Sequence, residues 1–273
     1  MKLRVALCQT DIHWEDPVSN LNRVSKIVRG CDADLFVFPE MFTTGFTLHP
    51  ERVAESETGY TFRRLKRLAR ETGKAIMGSV PVEECGVFYN SMLFVAPRQS
   101  VYRYDKRHLF APGGEQEVYA EGEARVVIEY RGVRIMPLIC YDLRFPVWSR
   151  IGGAGLPDYD LLVYSASWPA ARRSAWERLL PARAIENQCY VAGVNRVGSD
   201  PAAGYGGGSV LLDFRGDPLA AADAGAATVV GEVDTEALHR FRERFPVWKD
   251  ADAFRMSGPG EPGAECGART TKI

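Results

Sequence analysis

The sequence predicts a layered α/β fold in which helices alternate with strands and several strands pair as antiparallel hairpins. Short apolar runs of strand length alternate with amphipathic segments along most of the chain. Two pairs of runs, 90–96 with 101–104 and 125–130 with 134–140, are close enough in sequence to form hairpins. The chain has 273 residues, of which 46% are hydrophobic, so it can bury the core of one large domain or of two smaller ones.

The individual elements follow from the spacing of the apolar residues. Residues 2–9 alternate as a strand does, whereas residues 61–72 have apolar side chains at helical spacing and an arginine-rich opposite face that we expect to be solvated. The predicted strands are 2–9, 34–39, 75–80, 90–96, 101–104, 125–130, 134–140, 161–165, 190–194, 209–213 and 228–233. The predicted helices are 17–29, 61–72, 145–151, 175–188 and 235–245.

The last residues differ in composition from the rest of the chain. Residues 258–263 read GPGEPG, which is typical of turns and linkers and offers little apolar surface to bury. We therefore expect a folded domain over residues 1–257 and a Gly/Pro-rich C-terminal tail over residues 258–273.

The charge balance favours a small molecule as the partner. With 34 basic and 35 acidic residues, no charge excess indicates binding to nucleic acid or to a membrane surface. No segment reaches transmembrane length, and residues 1–10 alternate as a strand and lack the apolar core of a signal peptide. The six cysteines are scattered, with no C-x-x-C pair and no histidine at zinc-ligand spacing, so we expect free thiols in a reducing cytoplasm.

Three reactive side chains each follow directly on a strand-like run. They are Glu40 after residues 35–39, Lys106 after residues 101–105, and Cys140 after residues 135–139. Because α/β proteins build active sites at the carboxyl ends of strands, we expect the carboxylate, the ammonium and the thiol to meet. This combination favours acyl transfer through a thiol.

Each of the three side chains has a definite chemical task in such a reaction. Cys140 is the candidate nucleophile, because a thiol at a tight turn between a strand and a helix is open to a substrate. Glu40 is the candidate base that accepts the thiol proton and later donates it to leaving ammonia. Lys106 is the candidate stabiliser of the negative tetrahedral oxygen. The ordinary alternatives are a core cysteine, a carboxylate that caps a loop and a solvated lysine.

Three segments around these residues resemble the signatures of the nitrilase superfamily, the carbon–nitrogen hydrolases. They are residues 38–42 (FPEMF), 105–110 (DKRHLF) and 138–146 (LICYDLRFP), in the same order and at similarly wide spacing. The resemblance, which extends over residues 1–254, implies a four-layer αββα sandwich that usually dimerises across helices and needs no metal or other cofactor. Carried over by position, it makes Glu40 the base, Lys106 the transition-state stabiliser and Cys140 the nucleophile.

The resemblance also implies a supporting carboxylate and a subgroup. The superfamily often has a second glutamate after the lysine loop, for which this sequence offers Glu115 and Glu117; we favour Glu115, seven residues before Gly122. Four segments resemble the omega-amidase subgroup of the superfamily: residues 41–46, 167–169, 182–191 and 193–198. One position departs from it, because the subgroup commonly has Asn before the Trp-Pro pair and this chain has Ser167.

Omega-amidases cleave the terminal amide of short dicarboxylic monoamides such as 2-oxoglutaramate and 2-oxosuccinamate. The resemblance implies attack by Cys140 on the amide carbon, loss of ammonia to leave a thioester, and hydrolysis by water that Glu40 activates. The oxyanion is then expected between Lys106 and the backbone N–H of Tyr141.

Such a substrate also needs a cationic partner for its distal carboxylate. Arg144 is the candidate, because a guanidinium group binds a carboxylate through two hydrogen bonds. An ion pair with Asp142 or Glu186 is the alternative role. Phe42 and Trp168 are candidates for the pocket wall, with a plain core position as the alternative.

Three functions remain open on the sequence. They are an omega-amidase, another enzyme of the superfamily that acts on an N-carbamoyl amine, another aliphatic amide or a nitrile, and a non-catalytic binding protein. The last is expected to lack part of the Glu-Lys-Cys triad, which is complete here. A thiol hydrolase built on Cys140 and His108 is a further alternative. Residues 204–208 (GYGGG) lack the Lys and Ser/Thr of a phosphate loop and predict a turn.

Overall fold

The computed structural model describes residues 1–98, 100–151 and 157–252, and within them the chain forms two six-stranded sheets. The predicted tail and its boundary lie outside the described residues. The strands are β1 (Lys2–Gln9), β2 (Leu35–Val37), β3 (Ala75–Glu84), β4 (Val87–Val95), β5 (Val101–Asp105), β6 (Ile128–Tyr130), β7 (Val133–Ile139), β8 (Leu161–Ala166), β9 (Tyr190–Asn195), β10 (Val197–Ser199), β11 (Gly204–Gly206), β12 (Val210–Leu212), β13 (Pro218–Ala221) and β14 (Ala227–Asp234). The α-helices are α1 (Pro17–Gly30), α2 (Tyr60–Thr72), α3 (Pro146–Ser149), α4 (Arg173–Asn187) and α5 (Thr235–Arg244).

Each large sheet has three parallel strands at its centre and antiparallel strands beside them. The first sheet has the order β14-β1-β2-β3-β4-β5, with β1, β2 and β3 parallel. The second has the order β13-β12-β9-β8-β7-β6, with β7, β8 and β9 parallel. Both predicted hairpins form, because β4 pairs with β5 and β6 pairs with β7 in antiparallel register.

The two sheets pack face to face, and helices cover their outer faces. In β1 the side chains alternate between the two sides of the first sheet. Leu3, Val5 and Leu7 belong to the core shared with the second sheet, whereas Ala6 and Cys8 belong to the core shared with α1 and α2. On the second sheet, α4 packs its Trp176 and Leu180 against Gly193 of β9, where a larger side chain would collide with both. The layers are therefore helix, sheet, sheet and helix, as the resemblance to the nitrilase superfamily implies.

Several elements differ from those predicted from the spacing of the apolar residues. The helix predicted over 145–151 is shorter (α3), because the backbone of Arg150 is extended and ends the helix at Ser149. The predicted turn at 204–208 contains β11, which pairs with β10 through Gly204 and Gly206. Strand β13 was not predicted, because this edge strand is too exposed to show an alternation of buried and exposed residues. Within the described ranges, no helix has both the length and the apolar character to cross a membrane.

Candidate active site

The three strand-end residues meet between the two sheets, at the edge where β2, β5 and β7 end. Glu40 follows β2 through a short turn, Lys106 follows β5 of the same sheet, and Cys140 follows β7 of the opposite sheet. All three line one cavity of about 260 Å³. The face-to-face packing of the sheets therefore brings together side chains that are up to 100 positions apart in sequence.

The carboxylate of Glu40 is held by donors on both oxygens. Its Oε1 accepts hydrogen bonds from Lys106 Nζ at 2.7 Å and from Asn90 Nδ2 at 2.9 Å. Its Oε2 accepts one from the backbone N–H of Ser167 at 2.9 Å, and Glu40 is only 1% exposed. A buried carboxylate with these donors keeps a fixed orientation, which a base needs before the substrate arrives.

Lys106 lies between two carboxylates and is fully buried. Besides Glu40, its Nζ donates to Glu115 Oε1 at 3.0 Å and to Glu115 Oε2 at 2.8 Å. Burial alone would lower the pKa of Lys106, but Glu115 and Glu40 outweigh this effect and raise it above its usual value. The ammonium therefore stays charged at any physiological pH.

Of the two candidate supporting glutamates, the structure brings Glu115 into the site and leaves Glu117 exposed. Glu115 is buried and also accepts hydrogen bonds from Asn90 Nδ2 at 2.9 Å and from the backbone N–H of Phe110 at 2.6 Å. Its burial, with the nearby charge of Glu40, raises its pKa in spite of Lys106. We call Glu40, Lys106, Glu115 and Asn90 the acid–base cluster.

Cys140 begins the 3₁₀ turn in a strained backbone conformation. Its φ of 43° lies in the left-handed region that disfavours residues with a side chain, and such strain is frequent at nucleophiles presented on sharp turns. Burial raises the pKa of the Cys140 thiol well above its usual value, the neighbouring Glu40 adds to this effect, and Lys106 opposes it. The resting thiol is therefore protonated at neutral pH and needs a base to become a nucleophile.

Asp142 fixes the turn that carries Cys140, the candidate nucleophile. This buried carboxylate accepts hydrogen bonds from the Ile139 backbone N–H at 2.9 Å and from the Tyr104 hydroxyl at 2.8 Å. It also contacts the ring Nδ1 of His108 at 2.8 Å, and that ring stacks on Phe145 at 3.8 Å. His108 is thus held behind the turn and does not line the cavity, so the arrangement does not supply the alternative Cys140–His108 pair.

Of the four remaining predicted residues, three line the cavity and one, Phe42, does not. Tyr141, Arg144 and Trp168 all line it, and the guanidinium of Arg144 lies 4.9 Å from the centre of the Trp168 ring. Arg144 forms no ion pair with Asp142 or with Glu186, whose carboxylate instead pairs with Arg183 at 3.0 Å.

The placement of Phe42 corrects the sequence prediction that it lines the pocket. Its ring stacks on Phe38 at 5.2 Å and lies against Gly78, where a Cβ atom would meet it at 2.6 Å. Phe42 is therefore a core residue, because the glycine leaves room for its ring beneath the sheet. The cavity is lined instead by Phe46, four residues later in the same loop.

Several residues of the site were not identified from the sequence. Asn90 interrupts the apolar run of β4 with an amide, which is the one sign in the sequence that this position has a polar role. Ser167 contributes its backbone N–H, which no side-chain pattern reveals. The other unpredicted residues that line the cavity include Phe110, Arg172 and Tyr205.

Comparison with known proteins places most of the chain in one family. A family model described as carbon-nitrogen hydrolase matches residues 4–243. The chain is 44% identical over 257 residues to "Omega-amidase YafV" of Escherichia coli (strain K12), which covers 93% of this chain and 98% of that protein. It is 35% identical over 259 residues to "2-oxoglutaramate amidase" of Bacillus subtilis (strain 168), with 92% and 98% covered.

A solved structure supports the fold assignment. XC1258 of Xanthomonas campestris, a CN-hydrolase superfamily protein, superimposes with a TM-score of 0.91 and is 39% identical. The match covers 94% of this chain and all of that one, whose active site contains an arsenic adduct.

Proposed function

The chain belongs to the carbon–nitrogen hydrolase family, and we propose that it is an omega-amidase that converts a short dicarboxylic monoamide to a dicarboxylate and ammonia. The observation that carries this proposal is the convergence of Glu40, Lys106 and Cys140 on one cavity, with Lys106 held between two buried carboxylates. The similarity to proteins named omega-amidase and 2-oxoglutaramate amidase supports the substrate class.

In the first half of the proposed reaction, Glu40 takes the proton of the Cys140 thiol as the sulfur attacks the amide carbon. The carbonyl oxygen becomes negative, and Lys106 and the backbone N–H of Tyr141 stabilise it. Glu40 then gives its proton to the amide nitrogen. The carbon–nitrogen bond breaks, ammonia leaves, and a thioester with Cys140 remains.

In the second half, water replaces ammonia. Glu40 removes a proton from the water as its oxygen attacks the thioester carbon, and the same oxyanion contacts form again. The tetrahedral intermediate collapses, the carbon–sulfur bond breaks, and the proton on Glu40 returns to the thiolate. The raised pKa of the Cys140 thiol favours this return, because the thiol is the stable form at the end of the cycle.

Arg144 is the proposed partner of the distal carboxylate. It lines the cavity four positions after the nucleophile, and the face of Trp168 orients its guanidinium group. The apolar rings and the cation together suit a short chain that ends in a carboxylate.

The test is ammonia release from a panel of substrates by the wild type and by Cys140→Ala. The panel contains 2-oxoglutaramate, succinamate, glutamine, an N-carbamoyl amino acid and a simple nitrile. We expect turnover of the first two that disappears in the variant, and unchanged turnover in Cys85→Ala, which removes an exposed cysteine far from the cavity. Turnover of only the N-carbamoyl compound or the nitrile would instead support another activity of the family, and no ammonia from any compound would contradict the proposal.

We also propose that the chain forms a homodimer or a larger homo-oligomer in the cytoplasm. Exposed large apolar side chains on the helices of the second sheet support an assembly across helices: Val147 is 54% and Ile185 is 55% exposed. The unpaired thiols among the described residues suit a reducing compartment. Light scattering that finds only monomers at micromolar concentration would contradict the assembly.

A further inference from the structure

Two arginines, rather than one, face the cavity that contains the nucleophile. Arg144 ends the 3₁₀ turn that begins at Cys140, and Arg172 immediately precedes α4. The guanidinium of Arg172 lies 5.1 Å from the centre of the Phe110 ring, as that of Arg144 lies 4.9 Å from Trp168. We call Arg144 and Arg172 the arginine rim, since both are exposed residues that line the cavity.

Neither rim guanidinium pairs with a carboxylate within the described part of the chain. Neighbouring arginines do: Arg173 pairs with Glu177 at 2.6 Å, and Arg183 pairs with Glu186 at 3.0 Å. Among the residues that the structure describes, Glu40 is the one acidic residue that lines the cavity, and its carboxylate is already held by Lys106. The rim therefore presents two positive charges whose N–H donors are open to a ligand.

Trp168 links the two arginines. Its ring face supports the Arg144 guanidinium, and its indole Nε1 donates a hydrogen bond to the backbone carbonyl of Arg172 at 2.9 Å. Trp168 is only 3% exposed, so it fixes the position of one rim side chain and of the backbone that carries the other. Stacking on Phe110 then orients Arg172, because a planar guanidinium prefers the face of a ring.

We propose that Arg172 is a second binding residue for the distal carboxylate and that, together with Arg144, it selects acid amides over neutral amides. This inference rests on the proposed function, in which Arg144 alone binds that group. Two guanidinium groups offer enough donors for both carboxylate oxygens, so each contributes charge-assisted hydrogen bonds. The amide end of the substrate meets Cys140 while the carboxylate end meets the rim.

The test compares an acid amide with a neutral one in Arg172→Gln. We expect kcat/KM for succinamate to fall roughly 10- to 100-fold, mostly through KM, while kcat/KM for butyramide stays within about 2-fold. Arg172→Lys should recover part of the loss, because it restores the charge without the planar donors. Arg173→Gln is the matched control, since this exposed neighbour does not line the cavity and pairs with Glu177.

A binding measurement tests the same role of Arg172 without depending on catalysis. Titration calorimetry with succinate, the product of succinamate hydrolysis, on Cys140→Ala should give a Kd that Arg172→Gln raises roughly 10-fold or more in the same background. An equal loss on both amides, or an unchanged preference with unchanged succinate binding, would overturn the role of Arg172 and leave the proposed function intact. A wild type that prefers butyramide to every acid amide would overturn both.

Discussion

The acid–base cluster and the arginine rim lie in the same cavity but are built in opposite ways. In the cluster, Lys106 and both of its carboxylates are at most 1% exposed and bound to one another. At the rim, two exposed guanidinium groups rest on aromatic rings and have no acidic partner among the described residues. In the proposed reaction, the cluster is thus arranged before the substrate arrives, whereas the proposed partner of the rim is the carboxylate of the substrate itself.

The strongest test of this contrast is to remove the cation of the cluster. Lys106→Met leaves Glu40 and Glu115 facing each other in a buried site, so we expect the free energy of unfolding to fall by about 3–5 kcal/mol. Loss of the oxyanion contact should also lower kcat by roughly 10³-fold or more. Urea denaturation and ammonia release measure the two effects.

Lys74→Met serves as the comparison for that experiment. Lys74 donates to the backbone carbonyls of Val28 and Cys31 and has no role in the cavity. We expect a smaller loss of stability and unchanged kcat. If Lys106→Met were as stable and active as Lys74→Met, the description of a tightly coupled cluster would be wrong.

The second test separates the proposed base, Glu40, from the proposed nucleophile, Cys140. Glu40→Gln should lower kcat by roughly 10²- to 10⁴-fold, because no group then takes the thiol proton. The same change removes a negative charge that raises the pKa of the Cys140 thiol, so that pKa should fall. The rate of iodoacetamide alkylation of Cys140, followed by mass spectrometry against pH, should therefore rise at a lower pH in the variant. An alkylation profile shifted to higher pH would contradict this electrostatic account.

The positions of the candidate catalytic side chains could be predicted because each signal is local. Glu40 and Cys140 each follow a buried apolar run, and Lys106 follows a strand-like segment, so all three positions are visible in the sequence. Their support could not be predicted in the same way. Asn90 reaches the cluster only because β4 lies beside β5, and the Ser167 contribution is a backbone group of the opposite sheet.

The lining of the cavity was harder still to predict, because loops rather than periodic elements supply it. Phe42 and Phe46 are four residues apart in one loop, yet the ring of Phe42 stacks on Phe38 in the core and that of Phe46 lines the cavity. Arg172 stands in the run AARRS, where composition does not distinguish it from Arg173. Only the position at the start of α4 separates the residue at the rim from its paired neighbour.

A third test concerns the amide that joins the two carboxylates of the cluster. Asn90→Asp replaces a donor with a third negative charge beside Glu40 and Glu115, so the pKa of Glu115, already raised by burial, should rise further. We expect the acid limb of the kcat/KM profile to move to higher pH, with a loss of roughly 10- to 100-fold at neutral pH. Asn22→Asp, an exposed control that contacts Arg64, should leave the profile in place. An unmoved acid limb in Asn90→Asp would mean that Asn90 does not position the base.

The smallest expected effects distinguish core from cavity within a single loop. Phe42→Leu should lower the free energy of unfolding by about 1 kcal/mol without changing KM, because its ring packs on Phe38 and Gly78. Phe46→Leu should leave stability nearly unchanged and raise KM for the acid amide by roughly 3- to 10-fold, because this ring lines the cavity. Thermal unfolding and initial rates on both variants check the pair. The reverse result, with KM changed by Phe42→Leu and stability changed by Phe46→Leu, would show that Phe42 lines the binding surface and that Phe46 belongs to the core.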